Sequence, residues 1–130
     1  MIIVTIKTDQ PNAEVGLFDD AKKLGYTTWE AHRTLTDTIH VQIKKLLDEA
    51  GFSWSDLAGV VVFKGPGSFT GLRIGFAVAN TLAYVNKAPI VSTTGEMWLT
   101  DGFRRLASGE DERIAMPEYG ANANITLPRK

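Results

Sequence analysis

Gly65-Pro66-Gly67-Ser68-Phe69-Thr70-Gly71-Leu72-Arg73-Ile74-Gly75 is the stretch on which the reading of this chain turns. It sits between a continuous apolar run, Val60 to Phe63, and a long apolar stretch, Phe69 to Val85. The run before it reads as a strand buried on both faces. Gly65 and Gly67 allow backbone angles closed to other residues, and Pro66 stiffens the turn. Ser68 or Thr70 can cap the helix that follows. Two readings of the turn stay open. It is either a structural joint, or an anion site at a helix N-terminus with Gly65, Gly67 and Ser68 as candidates. It is not a Walker P-loop, because the closing Lys-Ser/Thr pair is missing.

The helix expected from Phe69 to Val85 is unusual. Gly71, Gly75, Ala79 and Ala83 fall at four-residue steps and form a flat stripe of small side chains. Such a stripe lets another helix come close, because ridges settle into shallow grooves. Leu72, Ile74, Val78, Leu82 and Val85 surround it, and Arg73, Asn80 and Tyr84 supply a polar edge. A helix this apolar is buried on more than one side. The second cover is either the chain's own first helix or another subunit.

Upstream, Ile2 to Ile6 reads as a buried strand, Ala13 to Phe18 as a second and Leu24 to Glu30 as a third, with turns at Gln10-Pro11-Asn12 and Asp19-Asp20. A helix from about Thr34 to Ala50 follows, with Leu35, Ile39, Ile43, Leu46 and Leu47 on one stripe and Val41 pointing away. Ser53 to Leu57 reads as one helical turn. Downstream, Pro89-Ile90-Val91 is a fifth strand. Thr93 and Glu96 have capping-box spacing, which predicts a third helix to about Ala107. Residues 1–107 form the lobe, and 108–130 read as an extended C-terminal tail. The order β-β-β-α-β-α-β-α predicts an α/β fold. It has a mixed five-stranded sheet with helices on its faces, the antiparallel meander extending one edge.

The rest of the chain narrows the chemistry. It has 130 residues, the size of one domain. Lys plus Arg is 14 and Asp plus Glu 15, giving a net charge of −1, so binding of nucleic acid by bulk charge is out. Arg104, Arg105, Arg129 and Lys130 could still form a local basic patch. There is no cysteine, which removes disulfides, thiolate zinc sites and thiol nucleophiles together. His32 and His40 have no partner at metal-ligand spacing and read as solvated. Glu110-Asp111-Glu112 reads as a solvated acidic loop, and Asn124-Ile125-Thr126 is a sequon without meaning unless the chain is secreted. No targeting segment or membrane span is visible, so a soluble cytoplasmic protein with no membrane partner is expected.

The Gly65–Gly75 segment resembles the signature of the TsaB (YeaZ-type) family, and the connector Ala50 to Val60 resembles the segment that precedes it there. This family lies in the TsaB/TsaD, glycoprotease-like branch of the actin/Hsp70/sugar-kinase superfamily. The resemblance covers roughly residues 1–107 and implies a single actin-like ATPase (ribonuclease H-like) lobe. It implies a non-catalytic partner subunit in the making of threonylcarbamoyladenosine in tRNA. TsaD would carry the transfer chemistry, the ATPase TsaE would join through the complex, and tRNA would be met only indirectly. TsaB-like proteins pair through their first two helices, with TsaD or as a homodimer when alone. That places a partner interface on Leu35, Ile39 and Val41 of the first helix. On the second it would use Gly71, Arg73, Gly75, Ala79, Asn80, Ala83 and Tyr84. A glutamate at Ala79 is then expected to weaken assembly. The alternative is a nucleotide-binding ATPase-like lobe, or a repurposed lobe that only self-associates.

The sequence departs from the family in three places. Relatives carry an acid in the first strand, where this chain has Lys7 within Ile6-Lys7-Thr8-Asp9, and a lysine cannot ligate Mg²⁺. Ser92 to Met97 lacks the two metal-binding histidines of TsaD-like relatives. Nucleotide in this superfamily sits between two lobes, and one lobe is expected here. The resemblance therefore implies no cofactor in the isolated chain, with nucleotide only at a subunit junction.

Overall fold

The computed structural model describes residues 1–119. The sequon at Asn124 and the basic residues Arg129 and Lys130 lie outside the described residues. β1 (Ile2–Lys7) is the middle strand of five, in the order β3-β2-β1-β4-β5. It pairs antiparallel with β2 (Asn12–Asp19), which pairs antiparallel with β3 (Lys22–Glu30). On its other side it runs parallel to β4 (Leu57–Phe63), which runs parallel to β5 (Ile90–Thr93). The parallel steps cross over through α1 (Leu35–Ala50) and α2 (Phe69–Asn86), and α3 (Trp98–Ala107) follows β5. This is the element order that the sequence predicts.

Alternation along the strands splits the core in two. Val4, Ile6, Val15, Leu17, Val60 and Val62 meet α1 and α2 on one face. Ile3, Phe18, Val61, Phe63 and Val91 meet Trp98 and Leu106 of α3 on the other. Covering both faces is why β1 and β4 are continuous apolar runs rather than alternating ones. α1 presents Leu35, Ile39, Ile43, Leu46 and Leu47 inward and ends at Gly51, whose φ of 83° is the left-handed stop that glycine supplies.

Three local readings change. A short 3₁₀ turn, His32–Thr34, precedes α1, so the helix expected from about Thr34 starts at Leu35. The capping box at Thr93 and Glu96 does not form. Thr93 Oγ1 donates instead to the Trp98 carbonyl at 2.7 Å, and the helix starts at Trp98. A capping box does form at Ser53 and Asp56, on the 3₁₀ turn Trp54–Asp56.

The acidic run is the third correction. Glu110 to Glu112 is a fastening along the free edge of β5, because backbone groups at an open edge need partners. Asp111 accepts from the Ile90 amide at 3.1 Å and Glu112 from the Ser92 amide at 2.7 Å. In return the Glu112 amide donates to the Ile90 carbonyl at 2.8 Å. Arg105 donates to the Ser92 carbonyl at 2.8 Å and pairs with Glu110 and Glu112 at 2.7 and 3.0 Å. The Glu110 carboxylate holds the guanidinium proton above its ordinary range, and the guanidinium holds Glu110 below its own. Arg105 is thereby spent inside the lobe rather than on a basic surface patch.

The chain then lies as a strap on α2. Ala115 is buried, and the Asn80 side chain brackets it, donating to its carbonyl at 3.0 Å and accepting from its amide at 2.8 Å. The Glu118 amide donates to the Lys64 carbonyl at 2.8 Å, and Tyr119 packs on Phe69 with ring centroids 4.5 Å apart. Asn80→Ala removes both bonds at Ala115. The expected loss is about 1–3 kcal/mol, because the Ala115 backbone is left buried and unpaired. Urea unfolding measures it, and faster exchange of the Ala115 amide identifies the strap as the part released.

Candidate interaction surface

α2 decides which surface is free. Its stripe of small residues faces the chain's own sheet. Ala79 is 0% exposed, and Gly75 and Ala83 are also buried. A Cβ on Gly75 would run into Thr8 Oγ1, and one on Gly71 into the Thr8 carbonyl. The glycines are therefore needed for α2 to lie against Thr8, just past the end of β1, at van der Waals distance. Leu35 and Ile39 of α1 belong to the same core. The expected interface is corrected accordingly. Leu35, Ile39, Gly75, Ala79 and Ala83 are core, Gly71 is pressed on Thr8, and Asn80 holds the strap. Of the ten expected interface residues, Val41, Arg73 and Tyr84 face outward, Tyr84 with 85% of its surface exposed.

What the two helices do present is a shallow groove of about 420 Å³. Its walls are His40 of α1, Trp54 of the connector, and Ala77, Val78, Thr81 and Leu82 of α2. Val41 is 53% exposed on α1, and Val85 lies open on α2. Large apolar side chains left outside a core that is already filled mark a contact surface. The sequence reading missed Trp54, Thr81 and Leu82. Their one signal was the absence of charge on α2 beyond Arg73, which demands a second cover without saying which side it takes.

The glycine turn is a joint. Gly65, at φ 111°, has its carbonyl taken by Thr94 Oγ1, and a Cβ there would run into the Glu118 carbonyl. Gly67 packs flat on Asp9, and the Ser68 amide donates to the Asp9 carbonyl at 2.9 Å. Ser68 Oγ caps α2 by accepting from the Gly71 amide at 3.3 Å. With the Glu118 and Asp9 carbonyls against the two glycines and both the amide and the hydroxyl of Ser68 engaged, Gly65, Gly67 and Ser68 serve packing and capping.

Beside this turn, Lys7 closes a polar cluster on the sheet. Its Nζ lies 2.7 Å from Asp9 Oδ1, 3.9 Å from Glu14 and 4.5 Å from the centre of the Phe63 ring. Tyr26 donates to Glu14 at 2.5 Å, and burial first, then the carboxylate, pushes its phenol well above the ordinary range. Lys7 thus brings one positive charge to the two carboxylates beside it, closest to Asp9. Among the described residues, no three His, Cys, Asp or Glu side chains are placed to hold a metal ion. His32 contacts Glu30 at 3.1 Å. Among the described residues, no helix is long and apolar enough to cross a membrane.

Comparison with known proteins places this geometry. The family model for TsaD, tRNA N6-adenosine threonylcarbamoyltransferase, matches residues 22–94. The tRNA threonylcarbamoyladenosine biosynthesis protein TsaB of Escherichia coli is 30% identical, over 88% of this chain and 52% of its own length. TsaB of Buchnera aphidicola is 37% identical over 68% of this chain and 42% of its own. A tRNA N6-adenosine threonylcarbamoyltransferase of Anaplasma marginale is 36% identical, over 48% of this chain and 18% of that enzyme. The structure of YeaZ from Pseudomonas aeruginosa superposes with a TM-score of 0.68 over 82% of this chain and 50% of that one, at 23% identity. The fold is therefore that of a YeaZ lobe, and the chain spans about half the length of the E. coli TsaB.

Proposed function

The chain belongs to the family defined by this TsaD model, in its TsaB-type branch, and from that premise we propose that it is a partner subunit in the making of threonylcarbamoyladenosine in tRNA. In this reading it is non-catalytic, acts in the cytoplasm and docks its α1–α2 face on a TsaD-type subunit that carries the transfer chemistry. A TsaE-type ATPase and the tRNA join through that complex. The observation that carries the reading is the apolar groove between α1 and α2, open beside a core that is already filled. Lys7 supports the non-catalytic part, since its ammonium is locked on Asp9 where relatives offer an acid.

Light scattering behind size exclusion tests it, on the chain alone and mixed with the TsaD-type subunit of the same organism. A one-to-one complex that replaces any homodimer is expected. Thr81→Arg places a charged side chain in the groove from an exposed position, leaves the core untouched, and is expected to weaken the complex at least about tenfold. A homodimer indifferent to the TsaD-type subunit would overturn the reading. Equal binding by the Thr81→Arg variant would move the docking face elsewhere.

A further inference from the structure

We infer that the strap is part of the docking face: Ile114 and Met116 carry the apolar contact from the α1–α2 groove across the outer side of α2, and the TsaD-type subunit covers them together with the groove. The inference rests on the docking reading above and extends the surface which that reading uses.

The groove by itself is too small for a stable complex. Its walls are a few side chains, whereas a specific interface buries about 800 Å² per partner and takes about 20–30 residues a side. The contact must spread beyond the groove, and it can spread two ways. On α1, beyond His40, it would meet Asp37, Lys44, Lys45 and Asp48, exposed around Val41. On α2, beyond Thr81, it would meet Ala77, Tyr84 and Arg73, all exposed, and Arg73 is the one charge this helix carries. Interface centres are poor in Lys, Glu and Asp and rich in aromatic residues, Met and Arg. The α2 side has that composition and the α1 side does not.

The strap continues the α2 side. Asn80 and Tyr84 are neighbours at helical spacing, and the Asn80 side chain pins the Ala115 backbone at 3.0 and 2.8 Å. Ala115 is buried against α2, while Ile114 and Met116 on either side of it are 69% and 68% exposed. With Tyr84 they form a patch instead of scattered exposures. Arg113 and Glu118, both exposed, bound the stretch as a polar rim does. The strap is fastened before and after it, through the Glu112 amide on the Ile90 carbonyl and the Glu118 amide on the Lys64 carbonyl. Its side chains are therefore held on an ordered backbone, and a partner that covers them sacrifices little freedom in doing so.

The test is the Kd of the complex with the TsaD-type subunit of the same organism, for the wild type, Met116→Asp and Met116→Lys. Met97→Asp is the control, at an exposed position beside α3 on the other face of the sheet. Met116 lies outside the core, so both of its variants should unfold at the wild-type urea midpoint. Both signs of charge are expected to raise Kd about tenfold, because either is buried unpaired in an apolar contact, while Met97→Asp leaves it unchanged. Wild-type Kd in both Met116 variants, with Thr81→Arg weakened, overturns the inference and leaves the groove alone as the docking face. Tighter binding with one sign of charge and weaker with the other also overturns it, since the partner would then pass near Met116 without covering it. Weaker self-association at an unchanged Kd would make a second copy of the chain the occupant, and overturns it too. Absence of any wild-type complex overturns the docking reading, and the strap inference falls with it.

Discussion

Ala79→Glu is expected to abolish cooperative folding of the lobe. Ala79 sits in the middle of α2 with no exposed surface, in the layer where α2 packs against the sheet. Gly75, one turn earlier, is already pressed on Thr8. Glutamate adds volume where there is none and brings a carboxylate with no cation described beside it. Overpacking alone costs about 1–3 kcal/mol, and a buried unpaired charge adds more. A total above about 4 kcal/mol is a large share of the 5–15 kcal/mol that holds an ordinary domain together, and nearly all of it at the low end. Circular dichroism through a urea gradient should show a broad, non-cooperative transition or none. A cooperative transition within about 1 kcal/mol of the wild type would mean that this side of α2 faces solvent. Thr81→Arg, two residues further along the same helix, is the control, because it should unfold like the wild type and fail only in assembly.

Lys7→Met is expected to cost about 2–3 kcal/mol. Asp9 is 7% exposed, and Lys7, itself 19% exposed, is the cation beside it at 2.7 Å. Removing one member of a buried pair costs more than the pair is worth, because the survivor stays charged and unsolvated. The one-fifth exposure of Lys7 lets water soften the loss and sets the lower figure. Asp9 also receives the Ser68 amide and supports Gly67, so the damage should spread to the start of α2. The double change Lys7→Met with Asp9→Asn should recover most of the stability. A double-mutant cycle in urea reads the coupling directly. If the single and double variants lose the same amount, the charge pair is not what holds this corner.

The order of elements was legible because each strand and helix carries its own local signature. Ile2 to Ile6 and Val60 to Phe63 are β-branched runs bounded by turns, and the Leu35–Leu47 stripe repeats at helical spacing. What the stripe on α2 touches was not legible. A four-residue period says that Gly75, Ala79 and Ala83 share a face, but not whether that face meets a sheet or a partner. The groove was hidden for a related reason. His40, Trp54 and Thr81 come from three elements that only the crossover topology brings together. The acidic run failed differently, because the need it serves, an open strand edge, belongs to β5 and not to the run itself. Thr93 and Glu96 had the right spacing, yet the Thr93 hydroxyl found a carbonyl instead.

The carboxylates along β5 have a wider consequence. A sheet with bare margins invites strands from other molecules, and uncontrolled growth of that kind ends in aggregates. Here each margin is blunted by a different device. Asp111, Glu112 and Arg105 fill the hydrogen-bonding sites of β5 as a sixth strand would, without being one. At the far margin β3 begins with Lys22 and Lys23, and its register slips opposite Leu17 and Phe18, which spoils it as a template. Polymerisation through the sheet is discouraged in both directions, and the lobe is left to meet other proteins through its helices.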